Sequence, residues 1–125
     1  MRILLDTHVC LWWLRKDEKL TRQMEDLIAE ADTVYVSAIS VWETTIKAQK
    51  GKIEIDIHEL IQEISKNDFH ELPVSTAHSL KLLTLPHYHH DPFDRMMIAQ
   101  AMSEPLQFVT ADKDLKKYSE LVTIV

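Results

Sequence analysis

Residues 2–8 read Arg-Ile-Leu-Leu-Asp-Thr-His, a short aliphatic run closed by a carboxylate and followed, from Val9 to Ala31, by apolar and then charged residues at helical spacing. This is the pattern of a strand followed by one or two helices. Thr33-Val-Tyr-Val36 is β-branched and aromatic and reads as a second strand. Ser37 or Ser40 can cap the helix that runs on to about Lys50, where Gly51 stops it. His58 to Ser65 predicts another helix, Phe69 to Val74 a short strand, and Thr76 to Leu83 a helix that ends before Pro86. His87 to His90 is a loop, and Asp91-Pro92 opens a helix to about Met102 with proline at the favoured first position. Gln107 to Thr110 and Leu121 to Val125 supply the last strands. Strand and helix alternating in this way predict an α/β fold, a parallel sheet covered by helices on both faces. Ligands of such sheets bind beyond the carboxyl ends of the strands, so clustered polar residues are to be sought there.

The 125 residues are expected to form a single domain spanning 1–125. Hydrophobic residues make up 46% and charged residues 27%, the balance of a globular protein that folds alone. No stretch approaches the roughly 20 apolar residues of a membrane span, and no export signal is visible. Cys10 is the single cysteine, which excludes an internal disulfide and a thiolate zinc site and suggests a reducing compartment, with the cytoplasm as the expectation. The net charge of −6 argues against a nucleic-acid partner unless several acids form one metal site, where bound cations cancel much of the charge at the place a phosphate would sit. Basic residues recur at Arg15, Lys16, Lys19 and Arg22, at Lys47, Lys50 and Lys52, and at Lys113, Lys116 and Lys117.

Asp6 stands at the carboxyl end of the first strand, where it is either a metal ligand or the cap of the next helix. On the helix that follows Thr33–Val36, Ile39, Trp42 and Ile46 mark an apolar stripe, and Glu43 lies within it. Its local alternative is a capping box, Ser40-Val-Trp-Glu43. Asp94 heads the stripe continued by Met97, Ile98 and Ala101, while Asp91 is read mainly as the helix cap. Asp112 lies beyond the end of the Gln107–Thr110 strand, either as a ligand or as the cap of a short helix, and Thr110 can serve the backbone or hold a water.

Each local role is reasonable singly, yet Asp6, Glu43, Asp94 and Asp112 are predicted to meet at one sheet edge. Two carboxylates about 4 Å apart repel by roughly 4 kcal/mol at an effective dielectric of about 20, so such a cluster protonates, separates or binds cations. Oxygen ligands without thiolates favour Mg²⁺ or Mn²⁺. A pair of such ions suits in-line displacement at a phosphodiester, with no histidine base required. His87, His89 and His90 match no helical zinc spacing and are read as capping or surface residues. Trp12 and Trp13 are read as packing, and Arg95 as a helix-surface ion pair in preference to a phosphate contact.

Leu4-Leu-Asp-Thr-His8 with Trp12-Trp13, Ser37-Ala-Ile-Ser-Val-Trp-Glu43, His89-His-Asp-Pro-Phe-Asp-Arg-Met-Met-Ile-Ala-Gln-Ala101 and Val109-Thr-Ala-Asp112 together resemble the PIN-domain ribonucleases, and within them the VapC-like toxins of toxin–antitoxin pairs. The likeness runs nearly end to end, and its third block is the most specific. It implies a three-layer α/β/α fold, metal-dependent endonuclease activity on RNA, homodimers, and inhibition by a small antitoxin whose tail offers a basic side chain to the acidic pocket. Matched position by position, the family's acids fall on Asp6, Glu43, Asp94 and Asp112, while His90 stands where relatives often carry Lys or Arg.

The sequence therefore predicts a PIN-like endoribonuclease whose four acids hold one or two Mg²⁺ or Mn²⁺ ions, with Thr110 and Asp91 in support. A haloacid dehalogenase-like phosphatase would need a second aspartate where His8 stands. A non-catalytic module whose acidic edge binds a basic peptide is the other alternative.

Overall fold

The computed structural model describes residues 1–125. In chain order the elements are β1 (Arg2–Leu5), α1 (Thr7–Arg15), α2 (Arg22–Glu30), β2 (Thr33–Ser37), α3 (Ala38–Gln49), α4 (Ile57–Lys66), β3 (His70–Leu72), α5 (Thr76–Leu82), α6 (Pro92–Ser103), β4 (Gln107–Thr110), a 3₁₀ helix (Lys113–Tyr118) and β5 (Val122–Ile124). The helical stretch after β1 is two helices, because Lys16 turns into the left-handed region at φ 52° and Thr21 caps a fresh start by accepting from the Met24 amide. Gly51, at φ 72°, lies just past the end of α3 as the sequence predicts. The strand expected over Phe69–Val74 is reduced to three residues, since Pro73 has no N–H to continue the ladder.

The strands lie in the order β3-β2-β1-β4-β5, and every pairing is parallel. Leu5 is in register with both Val36 and Val109, which brings the carboxyl ends of β1, β2 and β4 level with one another. The chain moves from β1 to β2 on one side and returns to place β4 on the other, so the order reverses at β1. The residues at the mouth of this switch point come from distant parts of the sequence.

Alternation along the strands divides the core in two. Ile3, Leu5, Val36 and Val109 pack with Val9, Ile28, Leu60 and Ile64 from α1, α2 and α4. Leu4, Phe108 and Val122 pack with Met97, Ile98 and Ala101 of α6. Helices thus cover both faces, giving the three-layer α/β/α arrangement. No helix is long and apolar enough to cross a membrane.

Among the polar side chains enclosed in this apolar frame, one amide ties several elements together. Gln100, fully buried on α6, accepts from the Ser37 hydroxyl at 2.6 Å and donates to the Pro73 carbonyl at 3.3 Å. Ser37 also caps α3 by accepting from the Ile39 amide at 3.0 Å. The end of β2, the start of α3 and the exit of β3 are therefore tied to α6 through one amide. Gln100→Leu keeps the volume but strands the Ser37 hydroxyl and the Pro73 carbonyl, so it should cost about 2 kcal/mol. Urea unfolding checks this, with a lower midpoint at unchanged slope expected.

Candidate metal centre

Asp6 is the first residue beyond β1 and occupies the N-cap position of α1, yet its side chain caps nothing. Its Oδ2 accepts instead from the hydroxyl of Thr110, at 2.6 Å, the last residue of neighbouring β4. That hydroxyl also accepts from the Asp112 amide at 3.1 Å, so Thr110 links two acidic residues through one oxygen. Burial pushes the Asp6 carboxyl above its usual range and the Glu43 charge adds to the rise, while the Thr110 bond and His8 oppose it.

Glu43 is buried on the inner face of α3, but the local stripe differs from the sequence reading. The buried face carries Ile39, Ser40, Glu43 and Thr44, whereas Trp42 is 57% exposed and meets Phe93 edge-on with ring centres 5.1 Å apart. The expected Ser40–Glu43 box is also absent, because α3 starts earlier with Ser37 as its cap and Ser40 already lies inside it. Glu43 finds its partners elsewhere. Its Oε1 accepts from the Thr7 hydroxyl at 2.9 Å, and that hydroxyl lies 2.8 Å from Ser40 Oγ. Its Oε2 accepts from Lys47 Nζ at 2.8 Å, one turn along the same helix.

Asp91 does cap α6, accepting from the Phe93 and Asp94 amides at 2.8 and 3.2 Å, with Pro92 as the first helical residue. The Asp94 carboxyl is half-buried above the fully buried Met97 and Ile98, and it is pushed up to about 8. Loss of solvent is the largest cause, followed by the charges of Asp6, Asp91, Glu43 and Asp112. Asp94 therefore feels all three other predicted acids at once. Asp112 divides its oxygens: Oδ1 accepts from the Asp114 amide at 3.0 Å and caps the 3₁₀ helix, while Oδ2 faces His89 Nε2 at 3.5 Å.

His89, read from the sequence as a capping or surface residue, belongs to this group. One ligand atom each of His89, Asp94 and Asp112 lies within 4.8 Å of the others. His89 Nδ1 accepts from the Asp91 amide at 3.1 Å, so the neutral ring carries its proton on Nε2, toward Asp112. A nitrogen holding a proton has no lone pair for a cation, which leaves the site's donors as carboxylate oxygens. Cys10 adds no thiolate, because burial, helped by the Asp6 charge, pushes its thiol up to about 12. The donor set therefore fits a hard divalent cation.

His87 and His90 are exposed. Arg95 forms no helix-surface ion pair, since it turns inward to donate to the Leu85 carbonyl at 3.3 Å. Trp12 and Trp13 are half-buried, and Trp13 packs on Phe69 while donating to Asn67 at 3.0 Å, in keeping with a packing role. The site neighbours missed in the sequence are Thr7, Lys47 and His89. Lys47 carried a readable signal, its i+4 spacing from Glu43, and His89 another, its place two residues before a helix-capping aspartate.

Comparison with known proteins agrees with this fold. Ribonuclease VapC22 of Mycobacterium tuberculosis is 28% identical over 119 residues, covering 93% of this chain and 91% of that protein. The fold is similar to that of the VapBC2 complex from Rickettsia felis bound to a DNA fragment from its promoter, with a TM-score of 0.72 at 15% identity, covering 100% of this chain and 98% of the other. It is also similar to a toxin–antitoxin complex from Klebsiella pneumoniae, with a TM-score of 0.64 at 20% identity and coverage of 90% and 89%. FitAcB from Neisseria gonorrhoeae gives 0.65 at 20%, with coverage of 90% and 88%. The model of the PIN domain family matches residues 3–121, from β1 to the approach of β5, and the chain with its acid-lined sheet edge belongs to that family.

Proposed function

We propose that this PIN-domain protein is an endoribonuclease, the toxin of a toxin–antitoxin pair, and that Asp6, Glu43, Asp94 and Asp112 hold the Mg²⁺ or Mn²⁺ with which it hydrolyses RNA. The observation that carries this reading is the field at Asp94, whose proton is held up to about 8 by burial and by the surrounding carboxylates. A position that cannot bear its own negative charge in the company of other acids favours a cation. Kinship with a VapC ribonuclease supports RNA as the substrate.

When bound, Mg²⁺ or Mn²⁺ supplies the positive charge that draws in a phosphodiester and acidifies the attacking water. The chain's own residues prepare the place. Thr110 fixes Asp6 and the Asp112 backbone, Thr7 orients Glu43, and the Asp91 cap sets the first turn of α6 that carries Asp94. His89 presents an N–H beside Asp112 that can donate to a phosphate oxygen. Similarity to the VapBC2 and Klebsiella toxin–antitoxin complexes supports a cognate antitoxin as partner; cytoplasmic action and a homodimer are part of the same proposal. Leu80 and Leu83, at 67% and 82% exposure, offer apolar surface to a second copy.

Purified, antitoxin-free protein should cut a mixed pool of structured RNAs in Mn²⁺ or Mg²⁺. EDTA should abolish the cutting, and Asp94→Asn should lower it by about 100-fold or more. Metal binding without turnover of any RNA would instead leave a non-catalytic module whose acidic edge receives a basic partner.

The Asp94 proton gives a second expectation. Between its unfolded value of 3.8 and about 8, folded protein keeps a proton that unfolded chain releases, so rising pH destabilises the metal-free protein across this window. Melting temperatures should fall between about pH 5 and about pH 8, less steeply in Asp94→Asn. Near neutral pH, metal binding should release this proton, which calorimetry in buffers of different ionisation heat measures.

A further inference from the structure

Beside the acids, α1, α3 and the turn after α3 enclose a groove of about 310 Å³. Its polar walls are Thr7, His8, Thr44, Lys47 and Lys52, and Leu11 and Ile53 contribute apolar surface. Two of these, Thr7 and Lys47, are the side chains that hold Glu43, so the groove begins where the acidic site ends. Lys52 is exposed just past Gly51, and His8 is exposed one residue beyond Thr7. In a chain of net charge −6 this joins two lysines and an imidazole to the acids at the sheet edge.

Lys47 occupies Glu43 Oε2 at 2.8 Å, with its side chain 37% exposed. A divalent cation on Glu43 competes for the same carboxylate and repels the ammonium, whose flexible stem already borders the groove. We propose that this groove is a phosphate subsite for the RNA strand next to the bond being cut, and that Lys47 passes from Glu43 to the RNA phosphate when the acidic site takes up its cation. Lys52 and His8 complete the subsite, and Leu11 and Ile53 offer apolar surface to ribose and base. Loading the cation and opening the substrate contact are then one event. The inference rests on the nuclease reading above but concerns residues outside the acidic set.

The test uses the full chain, a short fluorescein-labelled single-stranded RNA of mixed sequence, and Ca²⁺ as the ion, with gel electrophoresis showing the RNA intact. Anisotropy gives Kd and its salt dependence, and calorimetry gives Mn²⁺ affinity. Lys52→Met and Lys47→Met should each weaken RNA binding about fivefold and reduce the slope of log Kd against log salt by about 0.7, one phosphate contact on a single strand. Lys47→Met should also tighten Mn²⁺ severalfold, Lys52→Met should leave it unchanged, and Lys47→Arg should restore RNA binding. Lys52 touches no acid of the site, so its variant reports on the groove even where Lys47→Met loosens α3. A wild-type Kd and slope in Lys52→Met would overturn the subsite while leaving the nuclease intact. Unchanged or weaker Mn²⁺ binding in Lys47→Met would overturn the exchange. Wild-type protein that binds neither Mn²⁺ nor RNA would remove both the subsite and the nuclease reading.

Discussion

Like charges cannot be gathered at one place without something to hold them there, and this constraint organises the carboxyl edge of the sheet. A carboxylate pair about 4 Å apart costs roughly 4 kcal/mol at an effective dielectric of about 20, a large share of the roughly 5–15 kcal/mol by which a domain is stable. Most of the acids carry their own compensation. Asp6 has the Thr110 hydroxyl, Glu43 has Thr7 and Lys47, and Asp112 has the Asp114 amide. Asp94 has none, since every cause acting on its carboxyl raises it. The unrelieved repulsion of the group is thereby concentrated on one residue, at the head of a helix buried to 0% exposure at Met97 and Ile98, where the backbone cannot retreat.

Parallel topology makes such a gathering possible. Thr110 stands 104 residues from Asp6 in sequence, yet the β1–β4 pairing brings their side chains to 2.6 Å. The supporting contacts also run between elements. Thr7 reaches from α1 to α3, and Gln100 reaches from α6 to the end of β2. Hydroxyls and one amide carry these links inside a largely apolar core, so directional bonds fix the strand ends while non-directional packing holds the layers.

The fold was legible in the sequence because its elements announce themselves locally: aliphatic strands, Gly51 after α3, Asp91-Pro92 before α6. Asp6 and Asp112 were legible for the same reason, as polar residues just beyond strands. Glu43 was placed inward correctly but on a misread face. Trp42 looks apolar and falls in the stripe, while the buried residues Ser40 and Thr44 look like ordinary surface positions. Their burial follows from what they bond: Thr44 returns its hydroxyl to the Ser40 carbonyl at 2.8 Å, and Ser40 lies against the Thr7 hydroxyl. Hydrophobic periodicity cannot see a face built from hydroxyls satisfied by neighbours distant in sequence.

His89 was hidden for a different reason, since its part depends on three groups that the sequence does not place. Its backbone N–H donates to the Tyr118 hydroxyl at 2.8 Å, its Nδ1 takes the Asp91 amide, and its Nε2 faces Asp112. The loop before α6, the first turn of α6 and the 3₁₀ helix are thereby joined through one residue. A lysine here would lie among the carboxylates as a competing cation, and another acid would add to a repulsion already concentrated on Asp94. An imidazole anchored at Nδ1 by the Asp91 amide instead turns its other nitrogen to Asp112. It stands within 4.8 Å of a ligand atom of both Asp94 and Asp112, and a cation arriving there would displace the Asp94 proton.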